Sequence, residues 1–435
     1  MPLKKYTLLC LLTLLLSLRG TACNQPVPNE TPTPRHVGCS VPELIQAIQD
    51  ANQSPEPSEI FLGECVYTLT RPDNSRQIEG LTVHSGLPVI SSEIIIRGNN
   101  SVIEITKDTG EPFFGHFFVD PSGDLELYDL VLRGGTRALG GAVINRAGDF
   151  FASNVLFWGN SVYPFGGDIV AKGGAIYSSS GRVLLVNGCL FQENIAGETM
   201  ANGINLGGGI YAEDTSLLVS NSSFLQNYAA GDGGAIYTRK TTSNEHGGPI
   251  TINDVQFNEN RSAQNGGTLA LINEIEGVLI TSGWFRQNQA YDLGGAIYAE
   301  DSEIHVGYVE FRLNEARHGG AVYTRRSTEG VTSGFLSEHS RYVDNTAEGS
   351  GGGIVSENSD LELDDTWLLT NQAAVCGGIQ IGGNPEWDVP AGEHETAPRV
   401  SSTAEITSSY IYSNQAVSGY GGGACHLMGD LTIRD

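Results

Sequence analysis

One element recurs through most of this chain and constrains its fold more than anything else. It reads Gly173-Gly174-Ala175-Ile176-Tyr177, then Phe191-Gln192-Glu193-Asn194. It returns as Gly207-Gly208-Gly209-Ile210-Tyr211 with Phe224-Leu225-Gln226-Asn227, and as Gly233-Gly234-Ala235-Ile236-Tyr237 with Phe257-Asn258-Glu259-Asn260. The Ile position recurs at Val143, Ile176, Ile210, Ile236, Leu269, Ile297, Val322, Ile354 and Ile379, at spacings of 25 to 34 residues. Self-similarity at such a period marks a solenoid or array, in which each unit lengthens the molecule without founding a new core. The anchors are fixed and the period varies, so the coil is constant and the loops on its corners differ in length.

Each unit holds short runs with alternating apolar residues, such as Ile250 and Ile252 or Leu361 and Leu363. None has a helical period. A run this small cannot bury its face alone, so units must stack, at ~4.8 Å per coil. The expected fold is all-β, a parallel β-helix of about a dozen coils with a short N-terminal capping helix, some ~60 Å long. Gly-Gly suits a sharp corner where φ is positive and the next coil crowds any Cβ. The Asn of each unit (Asn160, Asn194, Asn227, Asn260, Asn288, Asn314, Asn345, Asn371 and Asn414) belongs at another corner. There its amide can satisfy turn backbone and bond to the Asn of the next coil. The Phe residues at 191, 224, 257, 285 and 311 would stack inside, with Leu368 and Ile411 replacing them late in the array.

The paired elements, from about residue 140 to 425, resemble the repeats of the polymorphic outer membrane proteins. That resemblance implies a right-handed β-helix of the pectin-lyase-like superfamily, displayed on the cell surface and often adhesive. Those proteins usually end in a translocating β-barrel, which this sequence does not contain. Leu431-Thr432-Ile433-Arg434-Asp435 is a strand run that should lead into another unit, so the sequence reads as a partial one. Upstream, Cys39-Ser40-Val41-Pro42-Glu43-Leu44-Ile45-Gln46-Ala47-Ile48 resembles the CSLREA motif that opens many secreted bacterial β-helices. It implies an N-terminal cap. Ser40-Val41-Pro42-Glu43 is also a capping box, and Leu44, Ile45, Ile48 and Ala51 give the helix one apolar side. The expected divisions are a signal peptide at 1–22, a Pro-rich tether at 23–38, a cap helix at 39–56 and the β-helix at 57–435.

Residues 1–22 read as an export signal: Lys4-Lys5, an apolar stretch over 6–18, and the small residues Gly20-Thr21-Ala22. The apolar stretch is too short to persist as a membrane span. Cys23 follows at once and resembles the acylated cysteine of a lipoprotein box, although Gly20 stands where Leu is usual. Ordinary signal peptidase would cut the same bond, so lipidation stays open. Location is then the bacterial outer membrane, cell surface or medium, with a membrane reached only through an N-terminal lipid anchor. Formal net charge is −26, and residues 1–22 carry three cations and no acid, so the exported part is more acidic still. Such a surface repels nucleic acid. It also repels polyanionic sugars unless divalent cations bridge the two. In an oxidising compartment Cys39 and Cys65, flanking the first folded segment, are candidates for a disulfide. Cys189 reads as a buried thiol. Cys376 and Cys425 sit at different places in the repeat, about 10 Å apart along a strand, so they are expected to stay unbridged.

Chemistry is sparse. Tyr177, Tyr211, Tyr237, Tyr298 and Tyr323 follow the inward Ile and should face out, as a ladder able to stack on sugar rings. The plainer alternative is that Tyr suits an exposed strand. Asp364-Asp365 is an adjacent carboxylate pair, but neighbours on a strand point to opposite faces. Arg325-Arg326 reads as a solvated turn. An insertion over 383–398 carries Trp387, Asp388, Glu393, His394 and Glu395 and reads as a mobile acidic loop. No histidine pair has ligand spacing. Asp292, Asp301, Glu303 and Asp344 lie near loops and could collect Ca²⁺; no other cofactor is expected. The favoured function is a non-enzymatic adhesin or display protein binding a cell-surface glycan or protein. A carbohydrate-active lyase or hydrolase and a purely structural envelope protein are the rivals, and the fold alone does not choose among them.

Overall fold

A computed structural model describes residues 33–164, 170–181, 183–197, 203–241, 248–328, 331–382, 402–418, 421–426 and 430–434. They lie in one compact unit, Thr33–Asp435. Three parallel sheets wind through it. One has eleven short strands, from Phe117–Val119 through Ile176–Ser179 and Ile210–Glu213 to Ala424–His426. The largest, of twenty strands, carries the Phe segments, and the third stacks ten two-residue strands that follow the Asn corner. Register is kept coil to coil: Ile176 pairs with Ile210 and Tyr177 with Tyr211, and Phe191 with Phe224. The expected parallel β-helix is what the chain forms.

The sequence pattern explains each column. Phe157, Phe191, Phe224, Phe257, Phe285, Phe311 and then Tyr342 stack inside with ring centroids 4.5–5.1 Å apart. At the next corner Asn194 is fully buried, and its amide nitrogen donates to the Phe157 carbonyl of the coil before and to Asn227 Oδ1 of the coil after, both at 2.9 Å. Asn227 Oδ1 also accepts the Asn194 backbone N–H at 3.1 Å. The pattern repeats through Asn260, Asn288, Asn314, Asn345 and Asn371. Side-chain amides thus close the corner's hydrogen bonding without water.

The glycine corner is demanded by space. Gly233 has φ +69, and a Cβ on Gly234 would run into the Gly267 carbonyl oxygen of the next coil. At the N-terminal end the helix α1 (Val41–Ala51) is capped by Ser40, whose side chain accepts from Glu43 N, and buries Leu44, Ala47, Ile48 and Ala51. It closes the first coil, where Cys39 and Cys65 are disulfide-bonded with Cα atoms 5.6 Å apart.

Two expectations are corrected here. The tether does not reach residue 38. Thr33–Val37 is a strand paired in parallel with Ser58–Leu62, held by buried Val37 and by stacking of His36 on Phe61; Pro34 is tolerated because this strand lies at the sheet edge. Cys376 and Cys425 are bonded, with Cα atoms 5.4 Å apart. The expected offset assumed a straight strand. Cys376 instead occupies the first-glycine position at φ +55, where the corner folds the chain back beside the strand of the next coil. Cys189 is a buried free thiol. Cys23 and the 383–398 insertion lie outside the described residues.

Candidate functional site

The five tyrosines form a ladder, but it is not open. Tyr177, Tyr211 and Tyr237 stack at 5.4 Å with rings within 3° of parallel, and Tyr298 and Tyr323 follow at 6.3 Å. None is more than 6% exposed. They point away from the central core, yet they pack into a second apolar column with Ile78, Leu81, Val83, Leu139, Leu206 and Leu293. Leu139, Leu206 and Leu293, each just before a Gly-Gly, pack against this column. The hairpin of Asn74–Ile78 and Leu81–Ser85 covers the N-terminal end. Alternation along a strand gives direction and says nothing about this cover. The expected sugar-stacking platform is therefore corrected: the ring faces are spent on one another.

The hydroxyls are mostly spent as well. Tyr177 donates to Glu79 at 2.7 Å, Tyr211 to Glu213, Tyr298 to Glu300 and Tyr323 to Glu357. Burial raises each of these phenols' pKa, and the adjoining carboxylates raise them further, so they remain neutral donors. The Glu two residues after a ladder Tyr is part of this unit, as in Ile210–Glu213 and Ile297–Glu300.

Between Tyr177 and Tyr323 the run of tyrosines breaks at one position. Ala270 occupies the ladder position between Tyr237 and Tyr298 in strand register. Here the flanking columns change too. The pre-glycine residue becomes Asp232 and then Asn265, short polar side chains turned onto neighbouring backbone: Asn265 N donates to Asp232 Oδ1 at 2.9 Å, and Leu293 N to Asn265 Oδ1 at 3.2 Å. The Glu position becomes Arg239 and then Ile272. Beside this gap a cleft of ≈ 470 Å³ lies against the flanking rungs Tyr237 and Tyr298, lined also by Asp232, Arg239, Ile272, Glu300, Asp301 and Arg325 among others. That lies in the range of ligand sites, although its lining is more polar than most.

The cleft's charges are arranged. Arg325 donates to Glu300 Oε2 at 2.8 Å. Burial would raise the Glu300 carboxyl, but hydrogen bonds from Tyr298, Ser327 and Arg325, with the Arg325 charge, hold it below its usual range. Asp301 accepts from the Ser327 backbone N–H and hydroxyl, both at 2.7 Å. Asp232 goes the other way: burial raises its carboxyl, and Asn265 offsets only part of this. Arg325 was expected in a solvated turn; it ends the strand Val322–Arg325 and packs against the Tyr298 ring, Cζ 5.7 Å from its centroid. Sequence reasoning saw the tyrosines and missed the site, which is signalled by an absence: Leu269-Ala270-Leu271 where Ile-Tyr is the rule.

The other candidates do not assemble. Asp292 faces Arg317, Asp344 faces Arg312 and accepts from Thr370, and Asp365 bonds His339. Asp365 has φ +43 and marks a bend in the strand, so Asp364-Asp365 is no facing pair. Among the described residues, no three His, Cys, Asp or Glu side chains gather as a metal site.

Known proteins match in the same terms. The Chlamydia polymorphic membrane protein repeat matches residues 221–239, which hold one Phe-x-x-Asn and one Gly-Gly-Ala-Ile-Tyr. The Probable autotransporter YfaL of Escherichia coli K12 is 32% identical over 207 residues, 47% of this chain and 15% of that protein. The Probable outer membrane protein PmpG of Chlamydia muridarum is 30% identical over 190 residues, 38% of this chain and 16% of that protein. The chain thus spans about a sixth of the length of these relatives. Among solved structures, the A-module of the Azotobacter vinelandii mannuronan C-5 epimerase AlgE4 aligns over 90% of this chain and 91% of its own, at 10% identity and TM-score 0.30. PfbA, a surface adhesin of Streptococcus pneumoniae, aligns over 79% and 89%, at 12% identity and TM-score 0.30. Register and corner chemistry make the chain a parallel β-helix, and its repeats are similar to those of the Chlamydia polymorphic membrane proteins.

Proposed function

We propose that this chain is the displayed body of an exported surface protein, held at the outer membrane or cell surface, that recognises carbohydrate on another surface without cleaving it. The observation that carries the reading is the cleft beside Ala270, between Tyr237 and Tyr298, where polar and charged side chains gather on the flank of the ladder. The names of the relatives, an autotransporter and an outer membrane protein, support the location. Cys23 would carry the lipid anchor; incorporation of labelled palmitate, lost in Cys23→Ala, tests that part.

A second reading has one observation behind it. Asp232 and Glu300 line the same cleft with carboxyls shifted in opposite directions, the disposition of a general acid beside an ionised partner in glycoside cleavage. One experiment separates the two. The full chain is incubated with cells and with immobilised polysaccharides, and both retention and new reducing or unsaturated ends are measured. Retention without new ends supports recognition; new ends would move the protein to the enzymes, and no retention on any surface would remove the binding reading.

A further inference from the structure

We infer that the Ala270 cleft is a built subsite for one or two pyranose rings of a neutral glycan, with Tyr237 and Arg239 as its free donors. This rests on the carbohydrate-binding reading above and adds where and what the protein binds.

Three independent features meet there. The first is the missing rung. In register, Ala270 stands between Tyr237 and Tyr298, where the rest of the ladder would place a ring about 5 Å from each neighbour. A phenol-sized side chain is absent at that rung, and the cleft lies against the two rungs on either side of it, Tyr237 and Tyr298. The second is an unspent donor. Tyr237 is 6% exposed and lines the cleft. The other four ladder tyrosines each donate to a glutamate; the residue two after Tyr237 is Arg239, which cannot accept. Its hydroxyl has no hydrogen-bond partner among the described residues. The third is the charge exchange itself. Arg239 is exposed at the cleft and forms no ion pair among the described residues, whereas Glu300 opposite is already neutralised by Arg325.

The chemistry that fits is a polyhydroxylated ring. Adjacent hydroxyls both donate and accept, so they can meet Asp232 as acceptor and Tyr237 and Arg239 as donors. A purely apolar ligand would leave these groups unpaired at a cost. An anionic polymer would meet the Asp232, Glu300 and Asp301 carboxylates and the strongly acidic chain around them. The cleft volume of ≈ 470 Å³ admits a disaccharide more readily than a longer segment.

The test is isothermal titration of the full chain with tetrasaccharides of β-1,4-glucan, α-1,4-glucan, β-1,4-mannan and β-1,4-N-acetylglucosamine, and with a galacturonic acid tetramer. The wild type is compared with Ala270→Tyr, which supplies the rung the ladder uses in other coils. The expected result is binding of at least one neutral oligosaccharide, weakened tenfold or more in Ala270→Tyr while its melting temperature is kept or raised. Tyr237→Phe, which removes one oxygen, guards against misfolding of the first variant and should also weaken binding. Equal binding by both variants, binding of the acidic tetramer alone, or no binding of any neutral tetramer overturns the inference. Wild type and Ala270→Tyr held equally on cells would leave the broader reading standing and sink only the cleft.

Discussion

Cys376 is bonded to Cys425, although in strand register Cys425 lies opposite Gln380, four residues further on. The corner explains it. A first-glycine position can lie against the ladder residue of the next coil, as at Gly140, where a Cβ would meet Tyr177 Cβ at 3.0 Å. The disulfide therefore joins a glycine position to a tyrosine position, replacing one ladder contact with a covalent one. It closes a segment 49 residues apart, worth roughly 4 kcal/mol by chain entropy. Because stability in a solenoid is carried between neighbouring coils, Cys376→Ser should loosen mainly the last coils. Hydrogen exchange at Ile379–Ile381 should speed up markedly while Ile210–Glu213 stays protected. Uniform exchange across the chain would contradict this.

The asparagine column is expected to be stiff to substitution. Asn260 is fully buried, accepts from the Asn227 backbone and side chain, and donates to Phe224 O and Asn288 Oδ1. Asn260→Ala leaves the Asn227 N–H buried without a partner, at a cost of about 1–3 kcal/mol for that group beyond the bonds lost. The urea midpoint should fall clearly. Asn260→Asp would reveal whether the donor matters, since it keeps the acceptor oxygen but loses the donation to Phe224 O. A midpoint unchanged in the alanine variant would mean the ladder is decorative.

Glu274 makes stability depend on pH. It is 5% exposed, and burial pushes its carboxyl up to about 7 against an ordinary 4.5. Lys240 lowers it, while Asp214 and Glu276 raise it. The folded state thus binds this proton more tightly than the unfolded chain. Its contribution is whole below about pH 4.5 and is lost as pH rises to about 7, a change on the order of 3 kcal/mol. Glu274→Gln should match the wild type near pH 4.5 and exceed it at pH 8, read from urea midpoints. An equal difference at both pH values would rule out the ionisation as its cause.

Much of this was legible in sequence. Period and anchors fixed coil and corners, because the Asn and Gly-Gly chemistry acts within a coil or on its direct neighbour. The Phe column followed from alternation. What escaped was anything set by chain folding back at a corner. The residues before Gly-Gly, Leu206 and Leu293, cover the tyrosines, and the same fold-back brings Cys376 to Cys425. The hairpin over the first rungs is antiparallel and outside the repeat, so periodicity gave no hint of it. The cleft is hardest to read, since it is marked by Ala270, Asp232 and Arg239 each departing from its column.

The central claim is that ladder tyrosines are architecture and that recognition sits where the ladder is interrupted. Tyr211→Phe and Tyr237→Phe test it side by side, with stability and retention on glycan-bearing cells measured for both. Tyr211 loses a buried bond to Glu213, so Tyr211→Phe should cost about 1–2 kcal/mol and leave retention unchanged. Tyr237→Phe loses no internal bond, so its stability should stay within about 0.5 kcal/mol while retention falls tenfold or more. Retention lost in Tyr211→Phe and kept in Tyr237→Phe would contradict the account.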